Sequence, residues 1–175
     1  MNLAIKLTLL RMVLTIPFIA ACLWEEGNLK LASLILFSVA SLTDYLDGRI
    51  ARAKKIITDA GKILDPIADK ILITGAFVSF VQLGKVPAWI AIVVITREFL
   101  VTGLRTLAAN KSIIISASFF GKAKMFLQTI AVFTILLGFN ETITLIVLWT
   151  TAIVTILSGL DYFIKNKEII REALK

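Results

Sequence analysis

Long apolar segments recur along the whole chain and constrain its fold more than any other feature. Six of them approach the roughly 20 apolar residues that a helix needs to cross a bilayer core about 30 Å thick. Backbone groups in lipid must be hydrogen-bonded within their own segment, so each segment is predicted to be a helix. The expected spans are residues 8–24, 30–52, 62–83, 87–109, 119–138 and 142–164.

The composition supports the same fold class. Hydrophobic residues make up 58% of the 175, against about 45–50% in a typical soluble domain. We therefore expect an all-α integral membrane protein with one transmembrane domain over residues 1–175. Residues 1–7 are expected to form a short interfacial helix, and residues 165–175 a charged tail along the surface.

Basic residues orient the predicted bundle. Only Lys30 and Lys85 fall in the loops of one side, and thirteen lysines and arginines fall on the other. Because cytoplasmic loops carry the excess of positive charge, both termini and the loop 53–61 are predicted to face the cytoplasm. The net charge of +7 then suits anionic lipid, and nucleic acid is not an expected partner.

The residue inventory limits the chemistry. The chain has no histidine, and its single cysteine, Cys22, lies in an apolar run. This excludes histidine acid–base catalysis, most zinc sites and an intramolecular disulfide. Carboxylates, lysine, arginine, hydroxyls and oxygen-ligated metals remain.

Four aspartates flank the predicted loop between spans two and three. Asp44 and Asp47 are three residues apart, and Asp65 and Asp69 are four apart, so each pair lies on one helix face. The two pairs are placed almost symmetrically about the loop, so a helical hairpin would bring all four carboxylates into one shallow cytoplasmic pocket.

Four carboxylates together in low dielectric require compensation. An ion-pair cluster with Arg49, Arg52 and Lys70 is one solution. Two divalent cations, Mg²⁺ or Mn²⁺, are another, since an oxygen-only ligand set suits hard cations. Such a pair of cations is a common clamp for displacement at phosphorus, and Arg52 is placed to reach a phosphate.

The spacing of these residues resembles a known signature. The pattern D-x2-D-G-x2-A-R-x8-G-x3-D-x3-D, from Asp44 to Asp69, is matched at every fixed position. It is similar to the signature of the CDP-alcohol phosphotransferases, six-helix membrane enzymes that are usually homodimers. The resemblance implies transfer of a phosphatidyl or similar group from a cytidine diphosphate donor to an alcohol, with release of CMP.

The resemblance also implies roles for these residues. All four aspartates would ligate two metals, and Asp69 would also deprotonate the attacking hydroxyl. The CDP moiety would be lined by a set that overlaps with the ligands, namely Asp47, Gly48, Ala51, Arg52 and Gly61. No residue stands out as a covalent nucleophile, so a direct attack by the acceptor hydroxyl is expected.

A second cluster of polar residues follows in spans four and five. Arg97 and Arg105, eight apart, share one helix face, and Arg97 lies too deep to reach the interface. Glu98 points elsewhere on the helix, so we do not expect it to pair simply with Arg97. A cationic cluster suggests that the acceptor carries its own phosphate. The candidate residues are Arg97, Arg105, Lys122, Lys124 and Gln128.

The stretches R-E-F-x4-L-R and G-K-x-K-x3-Q contain these residues. They resemble stretches of the bacterial members of the family whose acceptor is sn-glycerol 3-phosphate and whose donor is CDP-diacylglycerol. The implied setting is a prokaryotic plasma membrane, with the active site on the cytoplasmic side. Thr8 and Arg11 are further candidates for contacts with the donor, although the Pro-Asn pair that the family shows before them is absent. The resemblance covers most of residues 3–130, and from residue 139 onward it is only that of a generic apolar helix. A phosphatidylinositol phosphate synthase type of transferase and a small cation transporter remain alternatives.

Overall fold

A computed structural model of the chain describes residues 3–24, 28–54, 59–110, 113, 115, 118–167 and 171. Within these ranges, the side chains of 3–4, 28, 44–54, 59–66 and 110 are not described. The described chain is all-helical, as predicted. Its helices are α1 (Leu3–Leu23), α2 (Asn28–Lys54), α3 (Asp59–Gln82), α4 (Ala88–Asn110), α5 (Phe119–Leu136) and α6 (Glu141–Lys165).

Apart from the start of α1, the helix bounds follow the predicted spans within about one turn. The largest difference is at the N-terminus, where α1 begins at Leu3 and continues without interruption to Leu23. Residues 3–7, expected as a separate interfacial helix, are therefore the first turns of α1. Pro17 lies inside this helix without ending it, as is common where neighbouring helices compensate in membrane proteins.

Several helices have the length and composition of membrane spans. Within the described residues, the candidates are Ile5–Leu23, Phe119–Leu136 and Glu141–Lys165. Large apolar side chains also point outward, among them Ile16, Phe99 and Phe126, each at least 68% exposed. A water-facing surface would not favour such exposure, so this is a membrane protein whose outer surface suits lipid.

The first compact unit comprises Met1–Lys85. Its central helix is α1, which packs along both α2 and α3. The rings of Phe18 and Phe37 meet at 5.5 Å between centroids. Between α1 and α3, a Cβ added to Gly75 would lie 2.8 Å from Cδ1 of Ile19. Glycine therefore permits the close approach of α3 to α1.

The second compact unit comprises Val86–Lys175, and its central helix is α6. Trp89 of α4 and Trp149 of α6 pack with ring centroids 4.9 Å apart. Side-chain oxygens cap two helices: Ser118 accepts from the backbone N–H of Gly121 at the start of α5, and Asn140 accepts from that of Ile143 at the start of α6. These caps fix where the helices begin.

Most described serine and threonine hydroxyls bond within their own helix. Thr15, Ser79 and Thr134 each donate to the carbonyl oxygen four residues earlier, at 2.7–2.9 Å. Such bonds satisfy a hydroxyl locally in an apolar surrounding. Ser158 of α6 is different, since it receives a hydrogen bond from another helix. That contact belongs to the candidate site.

Candidate functional site

The aspartate signature lies at the connected ends of α2 and α3. Asp44 and Asp47 fall in the last three turns of α2, and Asp65 and Asp69 in the first three turns of α3. Most of the signature's side chains, including Gly48, Ala51, Arg52 and Gly61, lie outside the described residues, so their predicted convergence stays a prediction. Within the described residues, α1 packs against both of these helices.

Asp69 is the member of the signature whose side chain is described. It is half-buried, and its neighbours Ala68 and Leu72 are buried. No group of three or more aspartate, glutamate, histidine or cysteine side chains forms a metal site among the described ones. The other three proposed ligands lie outside them. The donor set itself, four carboxylates without histidine or thiol, is the one that Mg²⁺ and Mn²⁺ prefer.

Two polar residues of α1 belong to the same unit. Thr8 and Arg11 are both fully buried, and they continue the buried face of Thr15, Phe18 and Cys22 along the helix at spacings of three and four. Since α1 packs against α2 and α3, the positively charged side chain of Arg11 is buried inside the first unit. The sequence singled out both residues, and burial of an arginine is consistent with a specific role.

Arg97 occupies the interior of the second unit. Its side chain is 9% exposed, and Nη2 donates a hydrogen bond of 2.6 Å to Oγ of Ser158. Nη1 lies 3.4 Å from Oε1 of Glu98. The expectation that Glu98 would not pair with Arg97 is therefore wrong. Adjacent residues do point apart on a helix, but the long arginine side chain bends back to reach its neighbour.

Glu98 also joins α4 to α5. Its Oε1 accepts a hydrogen bond from Nζ of Lys124, and the same ammonium lies 3.3 Å from Oε1 of Gln128. Arg97, Glu98 and Lys124 are all buried. Two cations share one carboxylate, so this buried cluster carries one net positive charge. Each charge has a partner, which low dielectric requires.

Arg105 lies two helical turns beyond Arg97 and is exposed. Its Nε donates a hydrogen bond of 2.8 Å to Oη of Tyr162, and Nη2 donates to the same oxygen. The Tyr162 ring lies beneath both guanidinium groups, with centroid distances of 5.3 Å to Cζ of Arg105 and 5.7 Å to Cζ of Arg97. A single buried tyrosine thus contacts both arginines of the predicted cluster.

The structure separates the predicted acceptor residues into two groups. Three of them are buried, namely Arg97, Lys124 and Gln128. Arg97 and Lys124 both contact Glu98, and Lys124 also contacts Gln128. The other two, Arg105 and Lys122, are exposed. The exposed pair has the accessibility that a phosphate ligand requires. The buried group is held in the interior of the second unit by its contacts with Glu98 and Ser158.

The view of α6 as a generic apolar helix is wrong. Ser158 and Tyr162, four residues apart and therefore on one face, contact the two arginines. Asp161, next to them, forms an ion pair of 2.7 Å with Lys165. A cavity of about 260 Å³ opens beside Tyr162 and is also lined by Ser118 and Asp161. The sequence already contained an indication of this polar face, since Ser158 and Tyr162, four residues apart, interrupt an apolar run.

Comparison with known proteins places the signature in a family. The family model described as CDP-alcohol phosphatidyltransferase matches residues 1–157. This match includes the four aspartates, Arg97, Arg105 and most of α6, and so extends beyond residue 139.

Relatives from several bacteria are named CDP-diacylglycerol--glycerol-3-phosphate 3-phosphatidyltransferase. The Bacillus subtilis protein is 39% identical, and the alignment covers 97% of this chain and 97% of the relative. The Rickettsia felis protein is 36% identical with 93% of each chain covered. The Haemophilus influenzae protein is 37% identical over 92% of this chain and 91% of the relative. The chain belongs to the CDP-alcohol phosphatidyltransferase family.

Proposed function

We propose that this chain transfers the phosphatidyl group of CDP-diacylglycerol to sn-glycerol 3-phosphate, giving phosphatidylglycerophosphate and CMP. The observation that carries the proposal is the near full-length similarity to relatives named for this reaction, at 36–39% identity. The intact aspartate signature and the exposed guanidinium of Arg105 in α4 support it independently.

The proposed architecture is a single transmembrane catalytic domain with six spans that follow α1 to α6. Among the described residues, three of these helices meet the length and composition of a span on their own. The other three carry the polar residues that the chemistry needs. The strong bias of basic residues puts both termini and the active site on the cytoplasmic side of a prokaryotic plasma membrane, and the active form is a homodimer.

Asp44, Asp47, Asp65 and Asp69 would hold two divalent cations, Mg²⁺ or Mn²⁺. Bound cations would neutralise charge on the donor's diphosphate and on the departing CMP. The aspartates in turn fix where the diphosphate lies. The CDP moiety would be bound by Asp47, Gly48, Ala51, Arg52 and Gly61, in which Arg52 supplies a guanidinium fork for a phosphate and the small residues leave room for the nucleotide.

Asp69 would act as the general base. It takes the proton of the acceptor hydroxyl, whose oxygen forms a bond to the β-phosphorus of CDP-diacylglycerol. The bond from that phosphorus to the bridging oxygen breaks, and CMP leaves with the electron pair. The chain offers no histidine for this role, and a half-buried aspartate close to the other carboxylates in sequence is the available base.

Arg97, Arg105, Lys122, Lys124 and Gln128 would bind the phosphate of the acceptor. Arg105 and Lys122, which are exposed, would contact the phosphate directly. Arg97, Lys124 and Gln128 would support them from the buried cluster around Glu98. A neutral alcohol would gain nothing from these charges, so a phosphorylated acceptor is favoured.

The test is CMP release by purified protein in detergent with CDP-diacylglycerol and Mg²⁺. Glycerol 3-phosphate and myo-inositol 1-phosphate are supplied in separate reactions, and Asp69→Asn is assayed beside the wild type. Release with glycerol 3-phosphate alone, lost in the variant, supports the acceptor and the base. Release with the inositol phosphate alone would overturn the acceptor assignment. Absence of release with both, together with metal uptake into vesicles, would favour the transporter.

A further inference from the structure

Tyr162 is fixed in the interior of the second unit. It is 2% exposed and packs with Val101 and Leu104 of α4. Its hydroxyl is the acceptor for two donors of Arg105, Nε and Nη2. These two N–H groups lie on one edge of the planar guanidinium, so the tyrosine holds that edge and defines the plane of the group.

The remaining edge of Arg105 is available for another ligand. Its Nη1 meets no acceptor within the part of the chain that the structure describes, and the side chain is exposed. A free arginine side chain has about 2 kcal/mol of rotamer entropy to lose when it binds a ligand. Anchoring to Tyr162 removes part of that freedom beforehand, which is the usual advantage of preorganisation.

The hydroxyl of Tyr162 also differs from a carboxylate, because it does not cancel the positive charge of Arg105. Arg97 and Lys124 share Glu98, whereas no ion pair involving Arg105 is found among the described side chains. A neutral hydroxyl and the negative face of an aromatic ring orient Arg105 without neutralising it. An arginine that is oriented and still fully charged is the arrangement that binds a phosphate best.

We propose that Tyr162 is a positioning residue that orients Arg105 for the phosphate of the acceptor substrate. This inference rests on the proposed function, in which a phosphorylated alcohol is the acceptor. It assigns α6 a part in substrate selection that neither the aspartate signature nor the family match requires. The competing explanation is that the Arg105–Tyr162 contact only joins α4 to α6.

The decisive variant is Tyr162→Phe, which keeps the ring and its packing and removes the one oxygen. We expect the KM for glycerol 3-phosphate to rise about tenfold, because both hydrogen bonds that orient Arg105 are lost and its side chain must then be ordered by the substrate. The KM for CDP-diacylglycerol and kcat should stay within about twofold, because the donor site and the base are unchanged. Arg105→Lys, which keeps the charge and loses the fork, should show the same selective rise.

Thr151→Val is the matched control. Thr151 is also fully buried on α6, but its hydroxyl bonds only to the carbonyl oxygens of Val147 and Leu127. We expect no change in either KM. A double variant completes the test, because in an Arg105→Ala background the Tyr162→Phe change should have no further effect on the KM for the acceptor. An additive effect would overturn the proposal and leave a purely structural contact.

Binding without turnover separates this inference from the proposed function. Calorimetric titration of glycerol 3-phosphate into wild-type protein should show binding that Tyr162→Phe weakens about tenfold and Thr151→Val leaves unchanged. Binding of this pattern without CMP release would refute the proposed function and retain the phosphate site. CMP release with equal acceptor KM in wild type and Tyr162→Phe would retain the function and overturn the inference. Absence of any binding of glycerol 3-phosphate would overturn it as well.

Discussion

Ser158 accepts a hydrogen bond from Arg97, with Nη2 2.6 Å from Oγ, and so joins α6 to α4 inside a membrane protein. Both residues are buried. A guanidinium at this depth needs acceptors, and the hydroxyl of Ser158 shares that task with the carboxylate of Glu98. The buried polar cluster of the second unit is therefore built from α4, α5 and α6 together.

Ser158→Ala is expected to destabilise the protein by about 1–3 kcal/mol, because it leaves a buried guanidinium N–H without its acceptor. Thermal unfolding in detergent measures the loss. The matched control is Thr150→Val, since the hydroxyl of Thr150 is exposed and bonds only to the carbonyl oxygen of Ile146. Equal unfolding midpoints for Ser158→Ala and the wild type would contradict the importance of this contact.

Glu98→Gln is expected to be more damaging than Ser158→Ala. It removes the carboxylate shared by Arg97 and Lys124, and breaking a buried ion pair costs about 3–5 kcal/mol. Lys124→Met should recover part of this loss in the double variant, because one of the two cations that shared the carboxylate is then gone. Unfolding of the wild type, both single variants and the double variant gives the coupling energy. A coupling near zero would show that the pair contributes nothing.

The sequence was sufficient to predict the helices and to recognise the aspartate signature, but not to predict how the polar residues pack. The length and composition of an apolar segment are local properties, so the helix bounds agree closely with the expected spans. The aspartate signature is equally local, since it lies within one pair of consecutive helices. These features could be identified without knowing which helices touch.

The contacts of Arg97 were not predictable in the same way. Its partner Ser158 lies 61 residues away, and only the packing of α4 against α6 brings the two together. The Glu98 contact depends on a side-chain conformation that helix geometry alone does not specify. The spacing of Ser158 and Tyr162 was visible in the sequence, but their targets became apparent only from the tertiary structure.

Gly75→Ala should disturb the packing of α3 on α1. The added Cβ would lie 2.8 Å from Cδ1 of Ile19, and overpacking of this kind costs about 1–3 kcal/mol. Ile19→Val removes the clashing methyl, so the double variant should recover stability. Gly103→Ala is the control, because no described atom lies within 4 Å of the new Cβ. Thermal unfolding should rank Gly75→Ala lowest, and equal midpoints for both alanine variants would refute the close approach.

Metal removal is expected to abolish CMP release, since the four proposed ligands offer carboxylate oxygens only and their charges need compensation. EDTA should stop the reaction, and excess Mg²⁺ should restore it. Asp44→Asn removes one charged ligand and should raise the Mg²⁺ concentration for half-maximal activity by more than about tenfold. Glu141→Gln, at an exposed acid in the first turn of α6, should leave that concentration unchanged. CMP release that persists in EDTA, or an equal Mg²⁺ requirement in both variants, would reject the aspartates as metal ligands.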